Sequence, residues 1–173
     1  MTTVREKRLQ NDFKALSELV DNSGGTLAII STSGNPPYQY VIEYRCRGIE
    51  QLQGNEPVFR TSHQVEISLG NNYPKQEPDA KFLTPIFHPN VYSNLNICLG
   101  RDWTMAETLP ELVIRIGKII QYANDITNLN SPANAVAKKW AEQNMRRFPV
   151  DTQTFKSQIE WEEKPVNISF QDF

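Results

Sequence analysis

The stretch YQYVIEYRCRG, residues 38–48, divides its side chains between two faces. Tyr40, Ile42, Tyr44 and Cys46 share one, and Val41, Glu43, Arg45 and Arg47 share the other. A period of two is that of a strand, and the contrast between the faces asks for a sheet covered on one side only. Three further segments read the same way. TLAIISTSG (26–34) leads into an Asn-Pro-Pro turn, SHQVEISLG (62–70) alternates Val65, Ile67 and Leu69, and DAKFLT (79–84) is a short fourth strand. Strands joined by short turns predict a four-stranded antiparallel meander.

Helical spacing marks what covers the sheet. From Thr3 to Asp21 the residues Val4, Leu9, Phe13, Leu16, Leu19 and Val20 recur on one face, with Arg5, Lys7, Arg8 and Lys14 among them, until DNSGG stops the helix. A second helix is predicted from about Thr108 to Ala123. Leu112, Ile116, Ile119, Ile120 and Ala123 point to the core, and Glu111, Arg115, Lys118 and Tyr122 form a polar stripe. Ser131-Pro132 is expected to open a third helix, as N-cap and first-turn proline, that runs to about Arg147. The order α-β-β-β-β-α-α predicts the α+β class, with helices beside one antiparallel sheet. The 173 residues suit one core domain at 1–150, followed by a tail at 151–173 in which one extended segment is expected.

Composition narrows the setting. A net charge of −2 and a pI near 5.7 give no basic face of the kind nucleic-acid binders carry. No apolar run reaches the length of a membrane span, and MTTVREKRLQ is too charged for a signal peptide. Two cysteines without framework spacing point to free thiols in a reducing compartment. The expectation is a cytoplasmic protein that binds neither nucleic acid nor membrane.

One cysteine sits in a chemical context. IFHPNVYSNLNICLG, residues 86–100, places a thiol shortly after a His-Pro-Asn turn. Zinc binding would need three or four ligands with close cysteine pairs, a spacing that is missing, so no metal or cofactor is expected. A cysteine protease would need an imidazole base touching the thiol and a third group to orient it. His88 is close in sequence, but the adjoining proline and the tight turn suggest that it braces backbone. Thioester carriage needs only an accessible thiol and an amide donor for the oxyanion. Cys98 and Asn90 fit that requirement. Cys46 lies on an alternating strand face and is read as core, and His63 starts a strand with no partner evident in the sequence.

The chain resembles the ubiquitin-conjugating enzyme family. The resemblance rests on YPKQEPDAKFLTPIFHPNVYSNLNICLG, with its Tyr-Pro turn, His-Pro-Asn and the Asn-Ile-Cys-Leu run. It extends through WTMAETLPELVIRIGKII and LNSPANAVAKKW, and back to RLQNDFKALSEL, covering roughly residues 4–147. It implies that fold: N-terminal helix, four-stranded meander, active-site loop, central helix and one further C-terminal helix. It implies a ubiquitin-like modifier carried as a thioester on Cys98, received from an activating enzyme and passed to a lysine of a target protein. By the same resemblance Asn90 stabilises the oxyanion and Ser131 stands at the gate where the lysine enters, while His88 and Pro89 brace the motif. Arg5, Lys7 and Arg8 would meet the activating enzyme, and Arg115, Lys118 and Tyr122 would cradle the modifier.

The sequence departs from that family at several points. Lys75 and Met105 replace a phenylalanine and a proline that face ligases, so ordinary RING or HECT ligases are not expected to dock. Leu95 replaces a glycine, the loop from Cys98 to Trp103 is short, and a Trp161-bearing tail replaces a fourth helix. These departures fit a divergent member, of the sort found in bacterial ubiquitination-like systems linked to defence against phage. The alternative class is a catalytically inactive module that binds a ubiquitin-like protein.

Overall fold

The computed structural model describes residues 3–100, 103–124, 127 and 129–149. The tail from 151 onward, Trp161 included, lies outside the described residues, as does the rest of the short loop after Gly100 up to Trp103.

Helix α1, Val4–Asp21, begins where Thr3 caps it. The Thr3 hydroxyl accepts from the Glu6 amide at 3.1 Å, and the Glu6 carboxylate accepts from the Thr3 amide at 2.6 Å. Two donors otherwise left open at the helix start are satisfied reciprocally. Strands β1 (Leu27–Gly34), β2 (Pro37–Tyr44), β5 (His63–Ser68) and β6 (Asp79–Phe82) form one antiparallel sheet in the order β1-β2-β5-β6. Its register pairs Tyr40 with Ile67 and Ile42 with Val65. The alternating residues of β2 are buried as the period required, Tyr40, Ile42, Tyr44 and, just beyond, Cys46 among them.

Between β2 and β5 the meander carries an addition. Strands β3 (Gly48–Gln53) and β4 (Glu56–Arg60) make a separate two-stranded hairpin, turning at Gly54-Asn55 with Gly54 at φ 65°. The Gly-Asn pair between two mixed runs was the available signal. Pro57 argues against a central strand but suits a hairpin outside the main sheet. Gly48 is required where the hairpin leaves the sheet, because a Cβ there would sit 2.6 Å from His63 Nε2 and 2.7 Å from Ile120 Cγ2.

Helix α2, Leu109–Ile120, crosses the covered face of the sheet. Thr108 caps it with a second reciprocal pair to Glu111. Buried Tyr44 donates its hydroxyl to the Val113 carbonyl at 3.1 Å. Helix α3, Ala135–Gln143, starts later than expected. Its N-cap is Asn134, whose side chain accepts from the Ala137 amide at 3.0 Å, so Ser131-Pro132 precedes the helix rather than opening it. A single turn of 3-10 helix, Met145–Arg147, follows.

Two apolar clusters result. The larger lies between the sheet, α1 and α2. The smaller joins Ile49, Tyr122, Trp140 and Ala141, with Leu52, Phe59, Phe87 and Phe148 against them, and so packs the hairpin on α3. Tyr122 therefore does not belong to a polar stripe. It falls just past the end of α2 at φ 56°, is 2% exposed, and donates its hydroxyl to the Phe87 carbonyl. Leaving the helix turns its ring inward.

A polar clamp fastens α1 to the start of α2. Asp12, buried, accepts from Arg8 Nε at 2.7 Å, from the Tyr73 hydroxyl at 2.5 Å and from the Leu109 amide at 3.3 Å. Removing that carboxylate would leave three donors, one of them cationic, without their shared acceptor. Asp12→Ala is expected to lower the unfolding free energy by about 3 kcal/mol, read as a shift in urea midpoint at unchanged slope.

Candidate active site

The His-Pro-Asn turn is built around a buried imidazole. His88 is fully buried, and its Nδ1 accepts the Asn90 amide at 2.9 Å. The Tyr122 ring meets it edge-on with centroids 4.2 Å apart. Burial lowers its pKa to about 3, so the ring is neutral near pH 7 and Nδ1 stays an acceptor. The Val91 amide closes the turn on the His88 carbonyl at 3.1 Å. Pro89, also buried, uses its carbonyl to accept from the Ala133 and Asn134 amides at 2.8 and 3.0 Å. That pair brings the loop carrying exposed Ser131 against the turn.

The thiol is reached through the same turn. The Cys98 amide donates to the Asn90 carbonyl at 2.8 Å, and Val91 and Ile97 form an isolated antiparallel bridge. Asn90 and Cys98 thus lie side by side, Asn90 6% exposed and Cys98 half-buried. The chain between them reverses at Leu95, whose φ is 70° and whose carbonyl accepts from the Phe82 amide at 3.0 Å. A glycine adopts that backbone at no steric cost, while leucine pays on the order of 1 kcal/mol. Leu95 partly offsets this by packing on the larger core.

Cys98 opens onto a groove of about 400 Å³ beside the exposed face of β5 and β6. Glu66, Glu77 and Asp79 bring carboxylates to its walls, and Lys81 brings a cation. Tyr92 lines the groove as well, 46% exposed, a residue that the motif reading passed over. The charge of the Cys98 sulfur, and its hydrogen bond to the phenol, push the Tyr92 pKa above its ordinary value. A tyrosine set between the His-Pro-Asn turn and a thiol was the signal for it.

The other expected site residues are placed differently from one another. Arg5 donates to the Leu69 and Gly70 carbonyls, and Arg8 to Asp12, Tyr73 and the Met105 and Glu107 carbonyls. Both guanidinium groups are thereby committed inside the chain, whereas Lys7 and Lys14 are exposed. Arg115 is 17% exposed and bonds internally, and Lys118 is half-buried. Cys46 is buried, and buried His63 bonds the Arg60 carbonyl through Nε2 at 3.2 Å. Lys75 is exposed beside Tyr73-Pro74, where the Trp103 indole donates to the Pro74 carbonyl at 2.9 Å, and Met105 is exposed nearby. Among the described residues, no three His, Cys, Asp or Glu side chains gather to hold a metal ion, and no helix is long and apolar enough to cross a membrane.

A helix-backed four-stranded sheet, with a half-buried thiol bonded through its backbone to a His-Pro-Asn turn, defines the α+β fold of ubiquitin-conjugating enzymes. The chain belongs to the ubiquitin-conjugating enzyme family, whose family model, described as ubiquitin-conjugating enzyme, matches residues 52–155. It is 29% identical over 153 residues to ubiquitin-conjugating enzyme E2 1 of Caenorhabditis elegans, covering 86% of this chain and 71% of that protein. It is also 29% identical over 151 residues to ubiquitin-conjugating enzyme E2 2 of Mycosarcoma maydis, covering 86% and 74%. Among solved structures, a putative ubiquitin-conjugating enzyme from Trypanosoma cruzi superposes with a TM-score of 0.60 at 18% identity, over 83% of this chain and 93% of that one. Human ubiquitin-conjugating enzyme E2 G1 gives a TM-score of 0.51 at 18% identity, over 66% and 95%. Both structural likenesses speak to the fold.

Both histidines carry a pH signature. Burial lowers His88 to about 3 and His63 to about 4, the Arg60 carbonyl opposing the shift at His63. Since the unfolded chain protonates first, near 6.5, their contribution is complete above that pH and is lost as pH falls toward the folded values. Urea unfolding at about pH 5 should show a loss of roughly 2 kcal/mol per histidine relative to neutral pH. The histidine share is identified by NMR, in which both Cε1–H shifts should stay flat from about pH 8 to 5. A midpoint near 6.5 for either ring would contradict the assignment.

Proposed function

We propose that Cys98 accepts the C-terminal acyl group of a ubiquitin-like protein from an activating enzyme and passes it to a lysine amine of a target. The observation that carries this reading is the half-buried thiol on the wall of an open groove, bonded through its backbone amide to the Asn90 carbonyl. In the first step the Cys98 thiolate adds to the donor thioester carbonyl and the donor's thiolate leaves, so one carbon–sulfur bond replaces another at little net cost. In the second step a neutral amine attacks, the carbon–nitrogen bond forms, and Cys98 departs as a thiolate while the amine's proton passes to a nearby base or to water. The protein contributes position and electrostatics rather than drive.

Asn90 supplies the amide that meets the oxyanion developing as the lysine attacks. Ser131 acts on the incoming lysine from the loop that Ala133 and Asn134 tie to Pro89. Lys7 presents a cation still open to an activating enzyme once Arg5 and Arg8 are committed within the chain, and Lys118 contributes to modifier binding. His88 supports carriage over proteolysis. With Nδ1 occupied by the Asn90 amide and its pKa near 3, the imidazole has no capacity as the thiol's base. Lys75 and Met105, exposed beside Trp103, support a divergent system working without ordinary RING or HECT ligases. Our reading extends to its setting, a bacterial ubiquitination-like pathway acting against phage in the cytoplasm.

The test is intact mass of tagged Cys98→Ser and Cys98→Lys variants from the native host, as an ester or amide outlives a thioester. A discrete added mass at position 98, absent in Cys98→Ala, is expected, and its fragments name the modifier. No adduct on a folded variant would favour a non-catalytic binding module. Separately, Asn90→Ala should still be charged at Cys98 yet discharge to free lysine 10²–10³-fold more slowly, roughly the cost of one oxyanion donor. In phage challenge of the native host, Cys98→Ala should plaque like a deletion; wild-type resistance would remove the defence role.

A further inference from the structure

Arg115 is out of keeping with the helix that carries it. Leu112, Val113, Ile114, Ile116 and Ile119 around it are buried, and its own side chain is 17% exposed. A guanidinium taken this far from water must regain its hydration from protein oxygens. Nη1 donates to the Leu99 carbonyl at 3.0 Å, and Nη2 lies 2.8 Å from Glu107 Oε1. The second contact is an ion pair rather than an aligned hydrogen bond, and Nε has no hydrogen-bond partner. Of its five N–H donors the guanidinium thus commits one to a hydrogen bond and relies on an ion pair for the rest, a costly arrangement for stability alone.

What the arrangement secures is the residue after the thiol. The Cys98 amide is tied to Asn90 on one side, and the Leu99 carbonyl is tied to Arg115 on the other. The backbone that aims the thiol is therefore held at both ends. Beyond Leu99 comes Gly100 at φ 88°, a conformation that imposes no side-chain restraint of its own. Glu107 steadies the guanidinium and is itself anchored, because its backbone carbonyl accepts from Arg8 of α1. Burial raises the Glu107 pKa, and Arg115 opposes that shift.

Resting on the reading of Cys98 as acyl acceptor, we propose that Arg115 is a positioning residue that aims the thiol by holding the Leu99 carbonyl, with Glu107 fixing its guanidinium. This gives Arg115 a role different from cradling the carried modifier.

The test times acyl transfer to Cys98 from two probes, a short diglycine peptide thioester and ubiquitin prepared as its C-terminal thioester. Arg115→Met keeps the length and apolar bulk of the side chain. It should slow transfer from both probes about tenfold through kcat at unchanged KM, while iodoacetamide, which needs no oriented approach, alkylates Cys98 at the wild-type rate. Arg115→Lys, keeping the charge but not the fork, should recover part of the loss. Wild-type rates in Arg115→Met overturn the proposal. So does a loss confined to ubiquitin, which would make Arg115 a modifier contact. Should Arg115→Met fail to fold, Arg115→Lys decides: transfer from the diglycine probe slowed about threefold supports the role, and an unchanged rate overturns it. A wild-type protein that accepts neither probe at Cys98 would count against thioester carriage itself, not against Arg115.

Discussion

The buried hydrogen bond from the Asn90 amide to His88 Nδ1 is the contact on which the site depends. It holds only while the imidazole is neutral, and burial against Tyr122 keeps it so. With the turn closed, its outward carbonyls become fixed acceptors. Asn90 offers one to Cys98, and Pro89 offers the other to the loop before α3. A single buried side chain therefore fixes the backbone of Asn90, the segment that carries Cys98 and the loop that carries Ser131.

The hairpin β3–β4 acquires a purpose in that light. It packs Ile49, Leu52 and Phe59 into the smaller core with Trp140 and Tyr122, and the Phe87 amide donates to the Ile49 carbonyl at 2.8 Å. The Trp140 indole reaches the Asn55 carbonyl at the hairpin's tip at 3.2 Å. The His-Pro-Asn turn is backed by this second cluster, while the sheet and α2 support it from the larger one.

The sequence was most legible where one periodicity decided the outcome. The two-residue alternation around Tyr40, Ile42 and Tyr44 and the helical spacing through Leu9 and Leu16 correspond to buried faces, because one-sided burial leaves no other register. Local chemistry was harder to rank. Ser131-Pro132 reads as a helix start, but the amides of Ala133 and Asn134 are drawn to the Pro89 carbonyl and the cap falls to Asn134. Tyr122 has helical spacing with Arg115 and Lys118, but a positive φ just past the helix turns it into the core. Arg5 and Arg8 look like a solvent-facing cationic surface in one dimension. Arg8 has a local partner in Asp12 one turn on, but the carbonyls that both guanidinium groups reach lie some 65 to 99 residues away, which no local pattern contains. The hairpin was within reach through Gly54-Asn55, although Pro57 weakens the strand signal of its second arm.

The most direct test of this account is amide hydrogen exchange at Cys98 in the wild type and in His88→Leu, which keeps apolar bulk but removes the acceptor. If the His88 ring positions the active segment, the Cys98 amide is protected by about two orders of magnitude or more in the wild type. That protection should collapse in the variant while Val65 and Ile67 of β5 keep theirs. A Cys98 amide that exchanges freely in the wild type, or that stays protected without the imidazole, would contradict the account.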